Sequence, residues 1–227
     1  MKRNLLIVST MRESSERCKH KMILPFGDKT MADIMMEKLE ALSTTVPTIL
    51  ALCPDDKELW EKAQNYNITI KERDRQSVTT ATKVNDICNF LEDFNFSHVL
   101  WLNSSVPFIK IQTILSVIKL FNENKLIESI HMIKISNNWF WNKDFEPINM
   151  KLNLTRTQES GKIYESIHAL HLYNRKHMLK TGTYWTMKEN NPYFLLVKND
   201  IEFLDVDTED DFKICNSMYE EVYDRHR

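Results

Sequence analysis

The sequence predicts a three-layer α/β/α fold around a mostly parallel sheet, and three observations carry that prediction. Short, nearly continuous apolar runs at residues 5–9, 46–52 and 97–102 are of strand length and read as strands buried on both faces. Between them lie segments whose apolar residues recur at helical spacing. The chain has 227 residues and 42% hydrophobic content, enough to bury one full core, so a single domain over residues 1–227 is expected.

The elements follow in order. After the opening strand and a polar loop, residues 31–42 place Met31, Ile34, Met35, Leu39 and Leu42 on one helical face. Residues 46–52 are the second strand, and Pro54-Asp55-Asp56 turns into a helix at 57–65. Residues 68–70 give a brief third strand. A helix over 79–94 is expected from Val84, Ile87, Phe90 and Leu91, and 97–102 is the fourth strand. Strand alternating with helix in this way means parallel pairing through right-handed crossovers. A helix at 111–121 and a strand at 128–135 continue the rhythm. Residues 137–162 break it, with Trp139, Phe140, Trp141, Phe145 and Pro147 among polar neighbours. That stretch reads as a dimerisation arm or a lid over the active cleft. A strand at 163–173, a helical turn at 176–180, a strand at 193–197 and a helix at 207–223 complete the chain.

Composition excludes several classes of function. Thirty basic and 32 acidic residues give a formal net charge of −2, with both signs mixed along the chain, so no basic face argues for nucleic acid. The first ten residues are too short an apolar run for a signal peptide or a membrane span, and Cys18, Cys53, Cys88 and Cys215 lack C-x-x-C spacing. A cytoplasmic protein with reduced thiols and small-molecule partners is expected. Only Gly27, Gly161 and Gly182 are glycine, so any phosphate loop works without glycine's freedom.

Two segments carry the chemistry. The first strand empties into Arg12-x-x-Ser15-x-Arg17-x-x-x-Lys21, which puts three cations and a hydroxyl at the carboxyl edge of a sheet, where open α/β folds bind ligands. Such cations neutralise a triphosphate, and an arginine forks onto its oxygens. Lys21 is expected to be an exposed loop cation of little weight in stability. A solvated basic loop is the plain alternative, disfavoured by the position after the first strand. Near the end, Asp205-Val206-Asp207-Thr208-x-x-Asp211 marks a strand giving way to a helix. Asp205 and Asp207 alternate on extended backbone and offer hard oxygens to Mg²⁺, while the same run is also a good helix cap. A weaker third element, Asn103-Ser104-Ser105-Val106-Pro107, ends the fourth strand, where Asn103 is placed to read a base or a sugar hydroxyl.

Together these segments make the chain resemble the cytidylyltransferases that activate acidic sugars, the CMP-sialate (acylneuraminate) and CMP-Kdo synthetases. Residues 12–21 look like that family's nucleotide-binding segment, and Leu102-Asn103-Ser104-Ser105-Val106-Pro107-Phe108 resembles its L-Q-P-T-S-P-L turn. Arg156-Thr157-Gln158, then Tyr164 and Ile167-His168-Ala169-Leu170-His171-Leu172, resemble the R-Q segment and the N-G-A-I-Y-I strand that face the sugar. Asp205-Val206-Asp207-Thr208 resembles the I-D-I-D-T metal run. The chain departs from the family in carrying Glu16 and Arg17 after the serine, Asn103 for a glutamine, and Ile167-His168 for Asn-Gly.

The resemblance implies a Rossmann-like nucleotidyltransferase fold and transfer of CMP from CTP to an acidic sugar of nonulosonic or Kdo type, with pyrophosphate released. Arg12, Ser15, Arg17, Lys21, Asn103 and Ser105 would hold the nucleotide, and Lys110, Arg156, Gln158 and Tyr164 the acceptor. Asp205 and Asp207 would hold Mg²⁺, with Arg12, Lys21 and Asp207 at the chemistry. A homodimer is implied. A phosphonate or another small acid is an alternative acceptor. A metal-dependent glycosyltransferase is disfavoured because its D-x-D lies mid-chain, and a non-catalytic nucleotide-binding descendant because cations and aspartates are all retained. His168 and His171 are expected to pack or hydrogen-bond rather than ligate.

Overall fold

The structure is a computed structural model describing residues 3–79, 83–150, 156–198 and 201–224. Its first strand, β1 (Leu5–Thr10), is buried for five of six residues. A two-residue hairpin, β2 (Pro25–Phe26) and β3 (Lys29–Thr30), leads into α1 (Met31–Ser43). The helix starts at a capping box in which the Thr30 hydroxyl accepts from Asp33 N–H and the Asp33 carboxylate accepts from Thr30 N–H. There follow β4 (Thr48–Leu52), α2 (Lys57–Ala63), β5 (Thr69–Glu72), α3 (Arg75–Thr79), α4 (Val84–Ile87) and β6 (His98–Asn103). The second half holds α5 (Ile111–Glu123), β7 (Ile130–Ser136), β8 (Ile163–Asn174), α6 (Arg175–Thr181), β9 (Tyr193–Leu196) and α7 (Glu209–Asp224).

Seven strands form one sheet in the order β5-β4-β1-β6-β8-β7-β9. The β5–β4, β4–β1, β1–β6 and β7–β9 pairs are parallel, whereas β8 runs antiparallel to both β6 and β7. The sheet is therefore mostly parallel, as expected, with β8 the reversed strand. The reason is the connection: a parallel neighbour needs a crossover, and β7 reaches β8 through residues 137–162 without a described α-helix.

Both faces of the parallel half are covered, which makes the fold three-layered. Leu5 and Ile7 of β1 pack with α1 and α5 in one core cluster, while Leu6 and Val8 pack with Phe90, Leu91 and Met178 in another. The expected helix over 79–94 is instead α4 and a 3-10 turn at Asn89–Asp93, interrupted at Cys88 (φ −110°, ψ 22°), with residues 80–82 outside the described ones. Among the described residues no helix is long and apolar enough to cross a membrane.

Register aligns the loops that matter. Thr10 pairs with Asn103 and with Ala51, so β1 and β6 end level and the sheet order diverges on either side of β1. That is a switch point of the kind at which α/β sheets bind ligands. The C-terminal helix is brought to the same place by Gly27. Its φ of +61° and the ring of Tyr219, which a Cβ would meet at 2.0 Å, leave room for no side chain, and its N–H donates to Asn216 Oδ1 at 2.8 Å.

Candidate active site

The loop after β1 is held without glycine, by its own side chains. Glu13 accepts from Glu58 N–H (2.8 Å) and Leu59 N–H (3.2 Å), capping α2 from outside. Cys18 and Met22 are buried, His20 supplies the one turn of positive φ (57°) in the loop, and Arg12 Nη1 donates to the Val78 carbonyl at 2.8 Å. The strand ends are stitched by Ser9 Oγ to the Leu102 carbonyl (2.9 Å) and Ser104 Oγ to the Thr10 carbonyl (3.0 Å).

Above these strand ends lies a cleft of about 400 Å³, into which Arg12, Ser15, Arg17, Lys21, Asn103 and Ser105 all face together with Asp207. Arg17 Nη2 stands 2.8 Å from Asp207 Oδ1 and Lys21 Nζ 3.8 Å from the same oxygen, across 190 and 186 residues of chain. Lys21 also donates to the Val206 carbonyl. Its side chain is only 13% exposed, against 67% for Arg17. Lys21 is therefore a half-buried anchor of the C-terminal segment and not the exposed loop cation expected.

The two aspartates differ. Asp205 is tucked behind the wall, where Oδ2 accepts from Asn103 Nδ2 at 3.0 Å and Oδ1 is buried without a hydrogen-bond partner. Burial, then repulsion from Asp207, holds its pKa above the ordinary carboxylate value, with Lys21 and Asn103 opposing. Burial likewise lowers the Lys21 pKa, against the pull of Asp207 and Asp205. The cap reading of this run is also correct: the Thr208 hydroxyl accepts from Asp211 N–H (3.2 Å) and the Asp211 carboxylate from Thr208 N–H (2.8 Å).

A divalent cation fits this pair of carboxylates. An orphaned buried acceptor beside a second carboxylate is an arrangement that a hard cation satisfies, and Mg²⁺ commonly takes one or two carboxylates with the rest of its shell from phosphate and water. Among the described residues no group of three or more His, Cys, Asp or Glu side chains is placed to hold a metal, so a full protein cage is absent.

Asn103 lines the cleft with its amide bonded to Asp205 Oδ2 and to Ser105 N–H (3.0 Å). Other expected positions fall elsewhere. Lys110 is the N-cap of α5, outside the cleft lining, with its N–H on Glu202 Oε1 at 3.0 Å. Arg156 and Gln158 sit at the exposed 3-10 turn Thr157–Glu159, and Tyr164 is exposed on β8; none of the three lines the cleft.

Sequence reasoning missed Arg73 and Trp101, which do line it. Arg73, buried at the end of β5, donates through Nη2 to the Met11 carbonyl at 3.1 Å and keeps Nε unpartnered. The signal was a charged residue closing a strand at the same edge of the sheet. His168 hydrogen-bonds within the strand, as expected. It lies where β8 bulges, residues 168–170 having no partner on β7. It belongs to a row with His171, Ser166 and His131: His168 Nδ1 to His171 Nε2 is 3.3 Å, Ser166 Oγ to His168 Nε2 3.3 Å, and His131 Nε2 to Ser166 Oγ 2.7 Å.

The fold recurs in known proteins. A CMP:2-keto-3-deoxy-manno-octonic acid synthetase complexed with CTP superposes with a TM-score of 0.67 at 10% identity, covering 96% of this chain and 98% of that one. A 4-diphosphocytidyl-2C-methyl-D-erythritol synthase from Anaerococcus prevotii gives 0.67 at 11% identity over 96% and 99%. A cytidylyltransferase from Leptospira borgpetersenii gives 0.58 at 15% identity over 97% and 87%. By sequence, no curated protein matches. The model of the family described as cytidylyltransferase matches residues 6–213, nearly the whole of the sheet and its cleft, and the chain belongs to the cytidylyltransferase family.

Proposed function

We propose that the protein transfers CMP from CTP to a hydroxyl of a small acidic sugar, of nonulosonic or Kdo type, and releases pyrophosphate. One observation carries this reading: Asp207 meets the cations Arg17 and Lys21 over the level ends of β1 and β6, with Asp205 held beside it by Asn103. Arg12, Arg17 and Lys21 neutralise the triphosphate, and Ser15 and Ser105 border it. The acceptor hydroxyl gives its proton to solvent and its oxygen forms a bond to the α-phosphorus as the α–β bridging P–O bond breaks, the electron pair leaving with pyrophosphate. Positioning and charge neutralisation are what such a step asks of the protein. Asp205 and Asp207 would hold Mg²⁺, which when bound supplies charge neutralisation at the phosphates.

The acceptor is read as lying beside β8, with Tyr164 on that strand and Arg156 and Gln158 at the turn before it. Trp141, Phe145 and Ile148 are exposed in the neighbouring loop, Phe145 at 86%, and are read as the contact with a second copy. Pyrophosphate release from CTP and Mg²⁺, measured across sialic acid, Kdo and a phosphonate, tests the reading. Turnover with one of the sugar acids is expected. Turnover with the phosphonate alone moves the acceptor class, and no release with any acid removes the proposal.

A further inference from the structure

Lys38 of α1 is 7% exposed, and its ammonium donates to the carbonyl of Pro107 in the turn after β6. Facing it electrostatically is Glu202, itself 6% exposed, in the 3-10 turn Ile201–Phe203. Glu202 Oε1 accepts the N–H of Lys110 at 3.0 Å, so the pair touches the turn after β6 at two points. The segments joined here are those that carry the site, and they are joined again above it by Val206 N–H to the Ser105 carbonyl (2.9 Å) and Asn103 Nδ2 to Asp205 Oδ2 (3.0 Å). Burial pushes the Lys38 pKa down to about 7, with Glu202 and Glu37 opposing. A buried charge of this kind adds little net stability over an apolar side chain of similar volume, so its role lies in what it holds.

We infer that Lys38, acting with Glu202, is a positioning residue that locks the turn after β6 to residues 201–207 and thereby sets Asp205 and Asp207 against the nucleotide-side cations. Neither side chain touches the nucleotide. The inference rests on the proposed reading of those aspartates as the metal-holding pair.

The test uses Mn²⁺, which takes the same oxygen ligands as Mg²⁺ and is read by electron paramagnetic resonance, bound with CTP to the whole protein. Lys38→Met, apolar and of similar length, is expected to weaken Mn²⁺·CTP binding about tenfold, the usual effect of removing a group that orients metal ligands. Glu202→Gln keeps an acceptor for Lys110 N–H but loses the charge, and is expected to weaken binding about threefold or more. The double variant should be no worse than Lys38→Met, because the two act as one unit. Leu42→Ala, a cavity elsewhere on α1, should lower the melting temperature and leave Mn²⁺·CTP binding unchanged.

Wild-type affinity in both Lys38→Met and Glu202→Gln overturns the inference and leaves the proposed function standing, as does a Leu42→Ala loss as large as theirs. If Lys38→Met does not fold, Glu202→Gln decides by the same criterion. Absence of Mn²⁺·CTP binding in the unmodified protein overturns the proposed function, and the inference with it.

Discussion

The two halves of the sheet are built on different rules. In β5-β4-β1-β6 every pairing is parallel, both faces are covered, and the ligand edge is made of strand ends tied by backbone and short side chains. In β8-β7-β9 one strand is reversed, and one face carries a cross-strand row of His171, His131 and Phe194 that continues onto Trp101 of β6. Tyr184 and Trp185 pack on this row, with ring centroids 4.6 Å from His171 and 4.4 Å from His131. On the proposed reading the first half holds the triphosphate, and the second, where Ile167 and His168 stand in place of the family's Asn-Gly, is the side that selects the acceptor.

If the halves divide labour in this way, the largest loss comes from the carboxylates at their junction. Asp207→Asn is expected to lower turnover by roughly 10²-fold or more, about 3 kcal/mol of transition-state stabilisation. Full activity at saturating Mg²⁺, read by pyrophosphate release, would take Asp207 out of the chemistry. Gly27→Ala strikes the docking of α7 instead. The clash with Tyr219 and the positive φ should cost about 1–3 kcal/mol and several degrees of melting temperature. An unchanged melting curve would mean that α7 does not hold the junction.

The acceptor half should reveal itself by acid sensitivity. Burial holds His131 at about 4 and His171 at about 3, below the ordinary imidazole value of 6.5. Above pH 6.5 these groups are neutral folded or unfolded. As pH falls from 6.5 toward 4 the unfolded chain binds protons that the folded chain refuses, so stability falls by about 1.4 kcal/mol per pH unit for each histidine. Replacing both with phenylalanine should flatten melting temperature against pH in that window; a slope equal to the parent's would refute the assignment. The smallest effect is at the surface of the nucleotide half. Arg17→Ala should weaken CTP binding about tenfold while moving the melting temperature by a degree or less, since exposed ion pairs add little stability.

The contrast also explains what was legible in the sequence. Buried parallel strands advertise themselves as continuous apolar runs, so β1, β4 and β6 were readable to within two residues at each end, and with them the edge that gathers Arg12, Arg17 and Lys21. Direction is not written in periodicity: β8 runs antiparallel because residues 137–162 bring the chain back without a described α-helix. The segment 79–94 has apolar residues at helical spacing, but Val84, Ile87, Phe90 and Leu91 reach one cluster through two short turns, a break that the spacing does not encode. Lys21 looked exposed because its neighbours in sequence are polar; the segment that pairs with it, Val206 and Asp207, comes from the far end of the chain.

That distance along the chain has a consequence for synthesis. Arg17 meets Asp207, and Gly27 receives Tyr219, only after the last helix has left the ribosome, by which time the strands of the parallel half have been available to pair for some seconds at ordinary translation rates. A nascent chain therefore shows its cations before it has the aspartates that balance them. On the proposed reading, the residues assigned to the chemistry come together late, and a chain interrupted before Asp205 carries the loop cations without them.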